Sequence, residues 1–476
     1  MFTAHDNKKQ LNLLFFQTLL ALTSLMLMSL PLIGMGQEAP TLAQLAERAI
    51  EKNHSLANAE LDIQSERETR KGIRETYLPH VEANGKFAHV NADVLVDLPA
   101  TTLPVLNIPL FDGSERFQSR GNLWTSDITA SAVLFTGTKA PKLGKALDQK
   151  IRAQEMMLET HRQEIIDQVS TAYDQLALLS QVQRVLEESQ RRLDIEKKTA
   201  EKAFGYGLIT SYELNKVAVA EATLAAKQQE YEGKRGLLLQ QMHQLTDVSM
   251  DSLALIEHTL QPYSLAATSD GIDNRPEVAA LDAAIEANRY KLQAEQTHWI
   301  PQVQALARVG YYGLTNASLK TPYALPVSGQ PVQLGIDRLQ AFPSYMVGVG
   351  FRWNLFDGMQ GKRAVNKAKI EVQKAENERQ EAEELLNLNL MKAQTEYELG
   401  NKQLVTGQTR LNTAQNALDI AQKESRVGLI KPAERIAAET DYQQAALDYY
   451  QAVFNQRRAA YRLLMATGNL TLERLN

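Results

Sequence analysis

The chain is written twice. Gly207-Leu208-Ile209 returns as Gly428-Leu429-Ile430, an offset of 221 (428 − 207). Leu134-Phe135-Thr136-Gly137 returns as Leu355-Phe356-Asp357-Gly358, and Leu245-Thr246-Asp247 as Ala466-Thr467-Gly468, both at 221. Leu78-Pro79 and Ile300-Pro301 are 222 apart (301 − 79), as are Leu103-Pro104-Val105 with Pro109 and Leu325-Pro326-Val327 with Pro331. An offset held along nearly the whole chain means one structural unit used twice. The period is far longer than a solenoid repeat and implies two similar halves about a pseudo-twofold axis.

Within each copy the hydrophobic period changes twice. Residues 41–78 have a helical pattern, with Thr41 as N-cap and Pro79 as stop. Two alternating segments follow. In Val81 to Val90, Val81, Ala83, Gly85 and Phe87 oppose Glu82, Asn84 and Lys86. In Trp124 to Leu134, Ile128, Ala130 and Ala132 oppose Asp127, Thr129 and Ser131. The second copy repeats this with Val303 to Tyr311 and Tyr345 to Leu355, whose wet faces carry Gln304, Arg308 and Arg352. A period of two over about ten residues suits a barrel strand with lipid on one side and water on the other. Trp124, Tyr311 and Tyr345 fall at one end of these segments, and Phe135, Trp299, Trp353 and Phe356 at the other, as two interfacial belts would.

The longest elements are two helical stretches, from Lys139 to Phe204 and from Gly361 to Val427. Sixty-odd helical residues span about 100 Å, more than a globular core needs. Leu179, Leu186, Leu193 and Ala200 recur every seven residues, as do Leu404, Leu411 and Leu418, with Gly407, Ala414 and Ala421 between them. Leucine alternating with small residues suits a close helix–helix seam. Each stretch stops at a glycine turn, and Pro432 can open the helix that follows the second. Return helices are expected over 211–245 and 433–466. The organisation expected is a first repeat over 37–246 with its hairpin at 80–135, an equatorial linker at 247–273, and a second repeat over 274–476 with its hairpin at 302–356.

Composition narrows the function. The formal net charge is −5 and there is no cysteine. No basic footprint for nucleic acid exists, and thiol catalysis, disulfides and thiolate metal sites are removed. Lys8 and Lys9, the apolar run Leu11–Ile33 and the small residues before Gly36 have the layout of an export signal over residues 1–36. The eight histidines form no H-x-x-x-H or H-E-x-x-H pattern, and no phosphate-binding G-x-x-x-x-G-K-[ST] appears. No cofactor, metal or catalytic residue is expected; the chain is not expected to be an enzyme.

This layout closely resembles the TolC-like outer-membrane efflux and secretion channels across Ala39 to Leu475. The order and doubling of helix, hairpin, long helix, glycine turn and return helix carry the resemblance. It implies a mainly α protein with transmembrane β: a homotrimer in which each subunit gives four strands to a twelve-stranded outer-membrane barrel, continued by a periplasmic α-helical barrel. Physics agrees on oligomerisation, because four strands cannot close alone and an open edge in lipid leaves backbone groups unpaired. The resemblance further implies a passive exit duct fed by an inner-membrane pump through a periplasmic adaptor (membrane fusion protein). It places a pore constriction at Glu213 and Glu434, each six residues past its turn glycine, with glutamate where the family has aspartate. The adaptor-docking tip is expected at Gly207, Leu208, Ile209, Gly428, Leu429 and Ile430. The family's latch tyrosine and arginine positions hold Ser425 and Ile430 here, which leaves Tyr206, Tyr212 and Arg435 as substitutes. The alternative is a periplasmic coiled-coil adaptor or scaffold without a pore.

Overall fold

A computed structural model describes residues 39–97, 101–102, 109–111, 114–257, 259–265, 271–324 and 329–475. The expected export signal, the Leu103-Pro104-Val105 and Leu325-Pro326-Val327 repeats, and residues 266–270 of the expected linker lie outside the described residues.

The first helical stretch is two helices, α1 (Leu42–Lys52) and α2 (His54–Glu75). Thr41 and Gln44 form a reciprocal capping box on α1. Asn53 ends α1 and caps α2, its Oδ1 accepting the Leu56 N–H at 2.9 Å. Strand β1 (His80–Asp97), a minor pair β2 (Thr101–Thr102) and β3 (Pro109–Phe111), and strand β4 (Ser114–Phe135) come next. Then follow α3 (Lys139–Gly205), α4 (Ser211–Thr246) and the short α5 (Met250–Ala254). The second copy is α6 (Pro276–Glu295), β5 (Gln302–Ala324), β6 (Pro331–Arg352), α7 (Gln360–Arg426) and α8 (Pro432–Ala466), closed by a 3-10 turn at Leu472–Leu475.

The duplication is carried down to single dihedrals. Gly137 and Gly358 take left-handed φ of 67° and 66°, followed by Thr138 and Met359 at 66° and 69°. Gly207 and Gly428 stand at 70° and 77°, and Asp247 and Gly468 at 59° and 72°. Each pair is 221 residues apart (358 − 137, 359 − 138, 428 − 207, 468 − 247). Helices α3 and α7 are each 67 residues long. A left-handed residue costs an L-amino acid energy unless it is glycine. Retaining one at four matched positions, in three corners, shows that both copies turn the chain at the same places.

β1, β4, β5 and β6 form one antiparallel sheet in that order. Below it the helices pack as long antiparallel pairs, α3 with α4 and α7 with α8. In the first pair Leu186, Leu193 and Ala200 on α3 bury against Val217, Leu224 and Tyr231 on α4. In the second, small residues let the backbones approach: a Cβ added at Gly400 would sit 3.2 Å from the Gln456 Cα. The main core gathers α1, α2, the middle of α3 and the end of α4, with Tyr461 and Leu464 of α8. Among the described residues no helix is long and apolar enough to cross a membrane.

A charged network at mid-height joins the two copies. Arg457 on α8 donates to the buried Asp174 of α3 at 2.8 Å, to Tyr461 Oη at 2.7 Å and to the Gln261 carbonyl at 3.0 Å. The chain at 259–265 is stitched across α8 like an extra strand. The Tyr263 N–H donates to Gln456 Oε1 at 2.9 Å, and Gln456 Nε2 donates back to the Tyr263 carbonyl at 2.8 Å.

Candidate functional site: a two-faced wall and two helical tips

The register brings all four alternating segments onto common faces. Val81 pairs with Ala130, Ala130 with Ala307 and Ala307 with Val347. Ala83, Ile128, Val309 and Tyr345 make the neighbouring row on the same face. The opposite face carries Glu82, Thr129, Arg308 and Met346 in one row. Period-two alternation along each strand becomes an apolar side and a wet side of the whole sheet. Aromatic groups bound the apolar side. Phe87 and Trp124 stack at 4.4 Å between ring centres, and Tyr311 and Phe342 at 6.1 Å. At the helix end the Trp353 Nε1–H donates to the Trp299 carbonyl at 2.8 Å. From Tyr345 to Trp353 the strand runs roughly 27 Å, at about 3.4 Å per residue. Tilted by about 40°, that rises roughly 21 Å, most of an apolar band of about 25 Å.

On the wet side an ion pair crosses strands. Arg308 Nε donates to Thr129 Oγ1 at 2.9 Å and stands 3.6 Å from Asp127 Oδ2, while the Thr129 hydroxyl donates to the same carboxylate at 3.0 Å. The alternation placed these three residues on the wet face without showing that they meet. Their contact depends on register, which a single strand does not carry.

The tips are two copies of one C-cap. The Gly207 N–H donates to the Phe204 carbonyl at 2.9 Å and the Leu208 N–H to the Ala203 carbonyl at 2.9 Å. Gly428 and Leu429 repeat this on Ser425 and Glu424 at 3.1 and 2.9 Å. The bonds make a Schellman-type close whose left-handed residue is the glycine. Leu208 and Leu429 stand out into solvent, at 76% and 74% exposure. Ile209 and Ile430 are half-buried, and Ile209 packs on the Leu193–Val217 cluster.

The two tip glutamates differ in surroundings. Glu213 is half-buried, and its Oε2 accepts the Ala433 N–H at 3.3 Å, at the start of α8. Glu434 is exposed. The first carboxylate thus caps the second return helix, where the helix dipole favours negative charge. Of the substitute latch residues, Tyr206 is exposed and Tyr212 lies under the Lys216 ammonium at 5.4 Å. Arg435 reaches across the repeats to Glu196 of α3.

A second pair beside it escaped the sequence reading: Arg192 of α3 donates to Glu439 of α8 at 2.7 Å. Its signal was an Arg-x-x-x-Glu spacing on both helices, 192 with 196 and 435 with 439. Two antiparallel helices carrying that spacing can exchange both pairs.

Comparison with known proteins follows the same lines. A family model described as "Outer membrane efflux protein" matches residues 268–469. The duplication and the fold extend the likeness over the whole described chain. A TM-score of 0.67 relates it to the outer membrane protein VceC of Vibrio cholerae, at 17% identity over 90% of this chain and 96% of that one. The Campylobacter jejuni CmeC outer membrane channel also scores 0.67, at 14% identity over 90% and 85%. A membrane protein from Pseudomonas aeruginosa scores 0.70, at 15% identity over 91% of both chains. The single-chain part of the expected TolC-like fold, mainly helical with one four-stranded antiparallel sheet, is the fold observed. No curated protein matches the chain in sequence.

Proposed function

We propose that three copies of this efflux-family chain form a passive duct through the outer membrane, its helical part in the periplasm. The observation that carries this is the sheet: four strands in one register, apolar on one side, wet on the other, with β1 and β6 left as open edges. Such a sheet is unstable in lipid until its edges pair, and copies set edge to edge complete the wall. Twelve strands spaced about 4.8 Å apart and tilted about 40° enclose a wall roughly 24 Å across. That leaves a wet passage above the helical barrel.

A passive duct draws its energy from elsewhere, and an inner-membrane pump suits that role; the sequence carries no phosphate-binding G-x-x-x-x-G-K-[ST]. The exposed Leu208 and Leu429 on rigid glycine turns suit docking of a periplasmic adaptor. Glu434, with Glu213 behind it, suits a negative neck that favours cations. The adaptor-or-scaffold reading leaves a two-faced sheet with aromatic borders unused.

Purification from the outer membrane with heat-sensitive trimer migration, and stepwise conductance in planar bilayers, is the expected result. A soluble monomer without conductance would defeat the duct reading.

A further inference from the structure

The strands are twice as long as a membrane needs. β1 has 18 residues and β4, β5 and β6 have 22, 23 and 22, whereas a tilted transmembrane strand needs about 9–11. The surplus lies beyond the Phe87–Trp124 aromatic pair, away from the helices, and there the two faces exchange character. The row after Phe87 and Trp124 on the lipid-side face is His89, Asn122, Thr315 and Arg338, wholly polar. His89 Nδ1 and Asn122 Oδ1 are 2.8 Å apart. Between those rows, on the lumen-side face, lies the row Ala88, Leu123, Leu314 and Leu339, wholly apolar. The lumen row one step nearer the membrane still holds Lys86, Thr125 and Tyr312.

On β1 and β4 the register is unbroken from His80 to Asp97, so there the exchange is written in the sequence. On β6 an irregularity opposite Tyr311, between Ser344 and Ala341, turns Leu339 from the side of Tyr345 and Val347 to the lumen side. At the next lumen-side position Val90 faces Gly121. A Cβ there would meet the Ala317 Cβ at 3.1 Å and the Leu314 Cδ1 at 3.2 Å, so apolar groups crowd this face around Gly121. A sheet that is polar outside and apolar inside has left the lipid and stands in water.

We infer that Leu123, Leu314 and Leu339 form an apolar collar inside the outer mouth of the duct, just beyond the lipid boundary. The inference rests on the duct reading. Its occupant is the same face of the other two copies: the open edges that close the wall carry this row round into one ring of nine leucines. The ring narrows the lumen and offers water no hydrogen bond, so it resists hydrated ions. Apolar cargo, which has less hydration to lose, meets less resistance there.

The test uses single-channel recording of full-length trimers. Leu314→Asp with Leu339→Asp sets six carboxylates in the lumen and should raise the cation-to-anion permeability ratio at least threefold. Thr315→Asp, one residue away on the outer face, should leave it within a factor of 1.5. Leu314→Asn with Leu339→Asn should raise conductance at least 1.5-fold without changing selectivity. Heat-sensitive trimer migration of each variant shows that it assembles. Should the aspartate pair fail to assemble, the asparagine pair alone decides. A conducting wild type with unchanged asparagine and aspartate variants, or an equal effect from Thr315→Asp, would overturn the collar and leave the duct standing. A wild type that forms no channel would overturn the duct itself, and the collar with it.

Discussion

Arg192 and Glu439 face each other at 2.7 Å across the seam between the first long helix and the second return helix. One turn further along α3, Glu196 takes Arg435. The Glu196 side chain is 4% exposed. Yet each carboxylate uses one oxygen only, since Oε1 of both Glu196 and Glu439 is buried without a partner. A half-satisfied charge cluster holds less firmly than a complete one, which suits a contact made to be released.

The joint variant Arg192→Ala with Arg435→Ala tests this. Removing one partner of a buried pair costs about 3–5 kcal/mol; Arg192 is partly exposed, so its share is smaller. The two hairpins should part more readily near the tips. The expected reading is a several-fold rise in resting conductance across planar bilayers, with trimers intact. Unchanged conductance would show the clamp to be passive packing.

The two glutamates proposed for the neck should behave unequally. Glu213 is held by the Ala433 N–H, whereas Glu434 is exposed on its own helix. Glu434→Ala should therefore lower cation preference more than Glu213→Ala. The Glu213 change should instead loosen the start of α8, with a loss of about 0.3–1 kcal/mol for the carboxylate–dipole contact. Reversal potentials in asymmetric salt measure the first effect, and protease sensitivity near Pro432 the second. Equal shifts in reversal potential from both variants would contradict the asymmetry.

How far the sequence foretold this structure depended on the range of each interaction. The alternation of Val303 to Tyr311 and the offset glycines Gly207 and Gly428 are local, and they located strands, turns and repeats. The break at Asn53 was missed because a side-chain cap can interrupt a helix without proline or glycine. The strands run past Val90 and start before Trp124 because their outer halves exchange faces, so a single face assignment stops too soon. Contacts set by packing, such as Arg192 with Glu439 or Asp174 with Arg457, need the register of helices hundreds of residues apart.

The apolar side of the sheet predicts opposite outcomes for neighbouring residues. Val347 is 79% exposed in the single chain and lies on the lipid-side face; Met346 lies on the wet face. Val347→Arg should cost about 2–4 kcal/mol per copy in the membrane, three times over in a trimer. Met346→Arg should be tolerated and should move selectivity toward anions. Trimer yield from outer-membrane extracts reads the first and reversal potential the second. Comparable yields for the two variants would mean that the sheet is not embedded in lipid.

Leu208 and Leu429 predict where an adaptor sits. Both are exposed on turns of the same geometry, while Ile209 and Ile430 are half-buried. Leu208→Asp with Leu429→Asp should leave folding and conductance unchanged but abolish crosslinking of the tips to a periplasmic adaptor. Ile209→Asp should instead disturb the seam at Leu193 and Val217 and lower thermal stability. Undiminished crosslinking in the leucine pair would move the docking surface away from the turns.

The mid-height network has a pH signature. Burial, and then the Asp174 carboxylate, push the Tyr461 hydroxyl well above the usual phenol range. The folded chain therefore favours the protonated phenol, whose hydroxyl accepts from Arg457 at 2.7 Å. Stability from this preference is complete below the unfolded phenol value of about 10. It is lost as pH rises from there through the folded value. Tyr461→Phe should cost about 1–3 kcal/mol at pH 8, because an Arg457 N–H loses its acceptor in a buried site. It should also flatten the fall in melting temperature between pH 9 and 11. A variant that melts earlier at pH 8 but keeps the parent's alkaline slope would assign that slope to other tyrosines. Such a result would leave Tyr461 as a neutral hydrogen-bond partner alone.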